Sequence, residues 1–127
     1  MKDHTISRIA IYILSIVMII FGIDHFRHPR IYLVYVPNFL PGGIVWVYIV
    51  GVAFILAAVA FIFKRFVKVA AYLLAAMLLV FVLFIHVPNF LHAGDAEMRQ
   101  LAFVNLLKDT ALAAFALHIA SNARTVD

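Results

Sequence analysis

Lys108 and Asp109 stand side by side inside the last apolar segment of the chain, and Asn105 lies three and four residues before them. On a helix these spacings bring the three side chains to neighbouring parts of one surface. The uncharged runs on either side, Gln100–Leu107 and Thr110–Ala123, are each shorter than the ~20 apolar residues that a membrane crossing needs, so they span only when joined. The charges therefore belong within the bilayer. There an ionised Lys or Asp at a helix centre costs roughly 2.5–3.5 kcal/mol and normally faces a partner or a wet cavity. Counted from Met98 at about 1.5 Å per residue, Lys108 lies roughly 15 Å deep.

The remaining polar residues define what that patch can meet. Asp24 and His25 close the first apolar segment, followed by Arg27, His28 and Arg30, and His86 alone interrupts the third. The natural expectation is that Asp24 or Asp109 neutralises Lys108, with His25 hydrogen-bonded to the remaining carboxylate. Such a cluster of Asp24, His25, His86, Asn105, Lys108 and Asp109 could be a polar clasp that fixes helix order without a ligand. It could equally line an outward-facing pocket in which Lys108 or His25 binds an oxygen of a quinone-like or other small molecule. A proton path through His25, Asp24, Lys108 and Asp109 has only Ser15, Thr110 and His118 to continue it, too few for a complete channel. Four of the six histidines, His25, His28, His86 and His92, gather near the outer end, which raises metal or haem ligation. No HExxH or cysteine-containing pattern accompanies them, so no metal site is assigned and haem between His25 and His86 is disfavoured. No residue is assigned a catalytic role.

The elements that must position these residues follow from composition. Hydrophobic residues make up 67% of the 127, which places the chain among integral membrane proteins and leaves no room for a separate soluble domain. There are no cysteines, which excludes dithiol exchange and Cys-ligated clusters. The net charge of +4 comes from basic residues at segment ends rather than a continuous patch, so it points to topology and not to nucleic acid.

The predicted architecture is all-α: a polytopic membrane four-helix bundle in one domain over residues 1–127, with helices at about 6–26, 44–63, 68–87 and 98–120. Lys2 and Arg8 before the first span suggest a leader, but no small-residue cleavage site follows, and the segment reads as a retained helix. Lys2, Arg8, Lys64, Arg65, Lys68 and Arg124 fall on one side and only Arg27, Arg30 and Arg99 on the other, which makes the first side, and both termini, cytoplasmic. Val36-Pro37-Asn38-Phe39-Leu40 recurs 51 residues later as Val87-Pro88-Asn89-Phe90-Leu91, with Tyr35 matched by His86, consistent with two related helical hairpins. In both copies Pro is expected to hold the preceding Val extended and to end the helix, leaving an ordered outer loop. Tyr32, Tyr35, Trp46 and Tyr48 read as an interfacial aromatic belt, with a stacking platform for a ring as the secondary reading, and Ala53/Ala57, Ala71/Ala75 and Ala116/Ala120 as rows for close packing.

The chain resembles the DoxX-like family of small four-helix bacterial membrane proteins. The likeness covers nearly the whole length. It is carried by Gly22-Ile23-Asp24-His25-Phe26, by the loop YVPNFLPGG (Tyr35 to Gly43) with Trp46-Val47-Tyr48 after it, by Gly51, by Phe84-Ile85-His86-Val87-Pro88, and above all by Asn105-Leu106-Leu107-Lys108-Asp109-Thr110-Ala111-Leu112-Ala113. Phe54 stands where some relatives place a Glu just after the span-two glycine. The resemblance implies a bacterial inner-membrane protein tied to redox modules such as thiosulfate and quinone oxidoreduction, acting as a subunit or anchor rather than as an enzyme on its own. Its expected partners are the lipid bilayer and a redox-enzyme subunit, with a second copy of the chain left open. No cofactor is assigned, and a quinone is compatible with this reading. The rival readings are a lipid or small-molecule binder or transporter, and a structural assembly protein without a ligand.

The orientation is checked by reporter fusions: one placed after Asp127 stays cytoplasmic, and one inserted near Gly94 is exported. The reverse result would put the Lys108 patch nearer the inner face.

Overall fold

The computed structural model describes residues 2–123, so Arg124 and Asp127 of the topology argument lie outside the described residues. These residues form helices and turns, with no strand among them. The order is α1 (Asp3–Arg27), the short α2 (Pro29–Leu33), α3 (Ile44–Phe63), α4 (Val67–Phe81), a π-helical turn (Val82–His86), α5 (Val87–Leu91) and α6 (Ala96–Asn122). Four stretches, Asp3–Arg27, Ile44–Phe63, Val67–Leu91 and Ala96–Asn122, are long and apolar enough to cross a membrane, the pattern of a multi-pass membrane protein. Their outward faces fit lipid: Ile13, Ile20, Leu56, Leu73 and Leu83 all stand in the open.

α1 packs chiefly on α3, and α4 on α6, so the chain is built as two hairpins joined along α3 and α4. In hydrocarbon there is no hydrophobic drive to bring helices together, and contact depends on close packing. Small residues supply it. Ala57, Ala58, Ala71, Ala75, Ala113, Ala116 and Ala120 are all buried, around Leu14, Met18, Phe61 and Leu78. The tightest approach joins α1 to α3 at Gly22 and Gly51. A Cβ on Gly22 would lie 2.5 Å from Ile55 Cγ1 and 2.8 Å from the Gly51 carbonyl oxygen.

Basic side chains tie down one end of the bundle. Arg8 Nη2 donates to the Phe61 carbonyl near the end of α3 (3.2 Å), and Lys68 Nζ donates to the Ala120 and Ala123 carbonyls at the end of α6 (3.2 and 3.4 Å). These cations bring donors to carbonyls in the last turns of α3 and α6, where the helix itself supplies few. Between α3 and α4 the turn is tight, with Lys64 and Phe66 both at positive φ (58° and 56°).

At the other end the two copies of the repeated pentapeptide adopt different backbones. Val36–Leu40 lies in turns within the connection between α2 and α3, which Gly42 and Gly43 bring into α3 at φ 98° and 46° and which Trp46 Nε1 holds by donating to the Pro41 carbonyl (2.7 Å). Val87–Leu91 is instead helical, and Val87 is α-helical at φ −65°, ψ −50°, which corrects the expectation of an extended residue and a terminated helix. The physical reason is local. Pro88 has no N–H and its ring would collide with the carbonyl four residues earlier in a regular helix. The chain widens into a π turn just before it, with Val87 N–H bonded to Val82 O, and the third span then continues to Leu91.

Gly22→Val should destabilise the bundle by about 1–3 kcal/mol, the usual cost of overpacking, read as a lower melting temperature in detergent, whereas Ile13→Val on the lipid face should leave it nearly unchanged. Equal melting of the two variants would mean that the Gly22–Gly51 crossing does not hold α1 against α3.

Candidate functional site

Between the hairpins, under the connection from α2 to α3, lies a cavity of about 350 Å3. Its walls are mostly apolar: Phe21 from α1, Val47, Val50 and Phe54 from α3, Phe81 and Ile85 around the π turn, and Leu112 from α6. Tyr32, Tyr35, Pro37, Leu40 and Trp46 close the outer side. Into this space the fold brings His25, His86, Asn105, Lys108 and Asp109, five of the six residues singled out from the sequence.

Asp109 is the buried charge. It is 6% exposed, and its carboxylate Oδ2 accepts from His86 Nε2–H at 2.8 Å. Oδ1 lies 3.8 Å from Lys108 Nζ. A carboxylate taken out of water is tolerated only when it is paired and hydrogen-bonded, and Asp109 has both a neighbouring cation and a ring N–H. The π turn ends at His86 and sets that ring opposite α6. Its other nitrogen, Nδ1, is buried without a hydrogen-bond partner. Lys108 sits at the edge of the site rather than inside it: its side chain is 44% exposed and its ammonium lies over the Phe21 ring, 5.1 Å from the centroid. Successive helical residues point about 100° apart, so Asp109 facing inward turns Lys108 towards the rim. Asn105 Nδ2 donates to the Tyr35 hydroxyl (3.2 Å), and the Tyr35 ring meets His86 edge-on with centroids 5.9 Å apart.

Of the two carboxylates offered for Lys108, Asp109 is the one beside it, and the expected bond from His25 to the other is not made. Asp24 does not reach Lys108 and does not line the cavity. Its carboxylate accepts from the Tyr32 hydroxyl and from His28 Nδ1 (3.0 Å), both on the outer side. His25 is not bonded to a carboxylate either: its Nδ1 donates to the Phe21 carbonyl one turn back (2.6 Å), and its ring stacks on Tyr32 with centroids 3.7 Å apart. The cause is α2, which follows α1 after a single residue and lays Tyr32 between Asp24 and the cavity. Burial, with the Asp24 carboxylate beside it, pushes the Tyr32 hydroxyl up to about 12, so it remains a donor throughout the ordinary pH range.

The sequence reading placed Tyr32, Tyr35 and Trp46 first in an interfacial belt and only second on a ring-stacking platform, whereas all three line the cavity. The spacing Pro29, Tyr32, Tyr35 just after a span was the available signal, since Pro at the first turn of a short helix would point both rings the same way. Phe54 fills the α3 wall, its ring 5.6 Å from His25 and 5.9 Å from Phe21. Elsewhere in the spans polar groups are turned to their own helices: Ser15 Oγ donates to the Ile11 carbonyl and Thr110 Oγ1 to that of Leu106. No group of three or more His, Asp or Glu side chains suited to a metal ion occurs among the described residues. His86 Nε2, the nitrogen nearest Asp109, is committed to the carboxylate rather than free as a ligand.

Chemically, the site is a small apolar chamber with a buried imidazole–carboxylate pair on one wall and the His25 imidazole on the other. It suits a compact, flat, mostly apolar molecule with one or two oxygen functions. Comparison with curated proteins and with solved structures gave no match. Residues 14–120, most of the chain, match the family model described as Domain of unknown function (DUF8561), and the chain belongs to that family.

Proposed function

We propose that this protein is a bacterial inner-membrane subunit that holds a quinone-like ring in the cavity between its hairpins and serves a redox process carried out with a partner enzyme. The observation that carries the reading is the buried His86–Asp109 pair with Lys108 at its edge, set on one wall of an otherwise apolar chamber inside a membrane bundle. Aromatic and aliphatic walls take the faces of a ring. Lys108 can donate to its oxygen, and the imidazole–carboxylate pair can hold or release a proton near that oxygen. The chain has no cysteine and assigns no nucleophile, so electrons would come from a partner. The DoxX-like resemblance of the segments around Asp24, His86 and Lys108 leans the same way. Basic residues at Lys2, Arg8, Lys64, Arg65 and Lys68 support cytoplasmic termini, which would open the cavity to the outer leaflet.

Purified in mild detergent and extracted with organic solvent, the native protein should yield a co-purified quinone, in its oxidised or reduced form, close to one per chain. Lys108→Met, which removes the donor and leaves the walls intact, should lower that yield roughly tenfold, about 1.4 kcal/mol of lost binding. Extracts free of quinone and quinol, together with no binding of added menadione or of its reduced form, would sink the proposal.

A second reading has its own support, because His86 and Asp109 also satisfy each other and lock the third span to α6. In a purely structural clasp, His86→Leu leaves Asp109 buried without a hydrogen-bond donor, with only the rim ammonium of Lys108 beside it at 3.8 Å, and costs about 3–5 kcal/mol, whereas His86→Leu with Asp109→Leu recovers most of that loss. Recovery of thermal stability without recovery of ring binding would separate the clasp from the site.

A further inference from the structure

We infer that the cavity recognises a hydroxyl-bearing ring, the quinol or phenol form rather than the carbonyl form, and that His25 is the residue that reads the hydroxyl. The inference rests on the reading of the chamber as a ring-binding site and specifies which class of ring it takes.

The argument starts from the direction of one hydrogen bond. His25 Nδ1 lies 2.6 Å from the Phe21 carbonyl oxygen. A carbonyl can only accept, so Nδ1 carries the hydrogen. In the neutral ring Nε2 then carries a lone pair. That nitrogen makes no hydrogen bond among the described residues, and unlike His86 Nδ1 it is not a buried atom closed off from all space. His25 itself is buried and is one of the residues lining the cavity, so the chamber is the space in which that lone pair can meet a partner. Three contacts hold the ring: the Phe21 carbonyl, the stacked Tyr32 and the tilted Phe54. The Tyr32 hydroxyl is in turn tied to Asp24. The acceptor is therefore fixed in place before any ligand arrives.

A fixed acceptor in an apolar wall selects for a donor. A quinone or ether oxygen placed against Nε2 sets lone pair against lone pair and leaves the imidazole unpaired, whereas a hydroxyl supplies the missing hydrogen. The same hydroxyl oxygen can accept from Lys108, whose ammonium lies over the Phe21 ring one turn from His25 on the same wall. A hydroxyl alone meets both demands, since it donates and accepts at one atom.

Trp46, the only tryptophan, lines the cavity and reports occupancy directly through its fluorescence. The probes are pentamethylphenol and pentamethylanisole, which share the pentamethyl ring and differ in the replacement of the hydroxyl hydrogen by a methyl group, neither being a quinone. The phenol should quench Trp46 with an affinity roughly tenfold or more above that of the ether. In His25→Phe, which keeps the stack on Tyr32, the two affinities should come within about twofold, while His25→Gln, whose amide still accepts, should keep part of the preference. Equal binding of phenol and ether to the native chain would overturn donor recognition and leave ring binding standing. Quenching by neither compound would overturn both. A preference that survives in His25→Phe would remove His25 from the role, and were that variant not to fold, the native comparison and His25→Gln still decide.

Discussion

A carboxylate in a bilayer interior has to be answered from every side, and Asp109 sets that requirement for this molecule. Its two oxygens are met by His86 and approached by Lys108, groups from different spans. For His86 to arrive there, the third span must present its last turn to α6 at one height and one rotation. Pro88 makes this possible by widening the helix into a π turn that ends at His86. The pairing of α4 with α6, the extension of the third span to Leu91 and the placement of Lys108 at the rim all accord with keeping one negative charge satisfied.

The apolar majority of the chain answers a different demand. Leu and Ile side chains gain nothing by leaving lipid for one another, so the hairpins cohere where alanine and glycine let backbones approach, as at Gly22 with Gly51 and along Ala71, Ala75, Ala116 and Ala120. Between the hairpins those small residues give way to Phe21, Phe54 and Phe81, which line the chamber. The cavity is thus the place where the close-packing rule is suspended, and the polar residues that packing would exclude are found there.

How much of this could be read beforehand depends on the range of the interaction. Four spans and their approximate limits were legible because the length of an apolar run is a local property, and α3 at Ile44–Phe63 agrees with its expected span residue for residue. Five of the six candidate residues meet at one cavity, since ionisable groups inside spans have few places to go. The partners within the cluster were not legible. Choosing between Asp24 and Asp109 for Lys108, or finding His25 bonded to its own backbone, required knowing that α2 folds back and fills the space beside Asp24 with Tyr32. Helical rotation also separated the adjacent Lys108 and Asp109 into rim and interior, which a linear reading of a charged pair blurs. The π turn was hidden for a related reason: Pro88 announces a disruption, and whether the chain bends, stops or widens is settled by what lies opposite it.

The recurrence of the pentapeptide makes the contrast between the hairpins instructive. Counted at the same offset of 51, Asn105 and Asp109 correspond to Phe54 and Ala58 in α3, and His86 to Tyr35. The first hairpin therefore contributes an apolar wall and a lid, and the second contributes the buried charge and its imidazole. Tyr35 and His86, matched in sequence, meet edge-on across the site. If both hairpins carried the acid, two carboxylates would share one small chamber and at least one would stay protonated. If neither did, the helices could close on one another and no chamber would be needed. One polar hairpin against one apolar hairpin is the arrangement that leaves a single charge satisfied, a single space open beside it, and His25 on the apolar side lining that space.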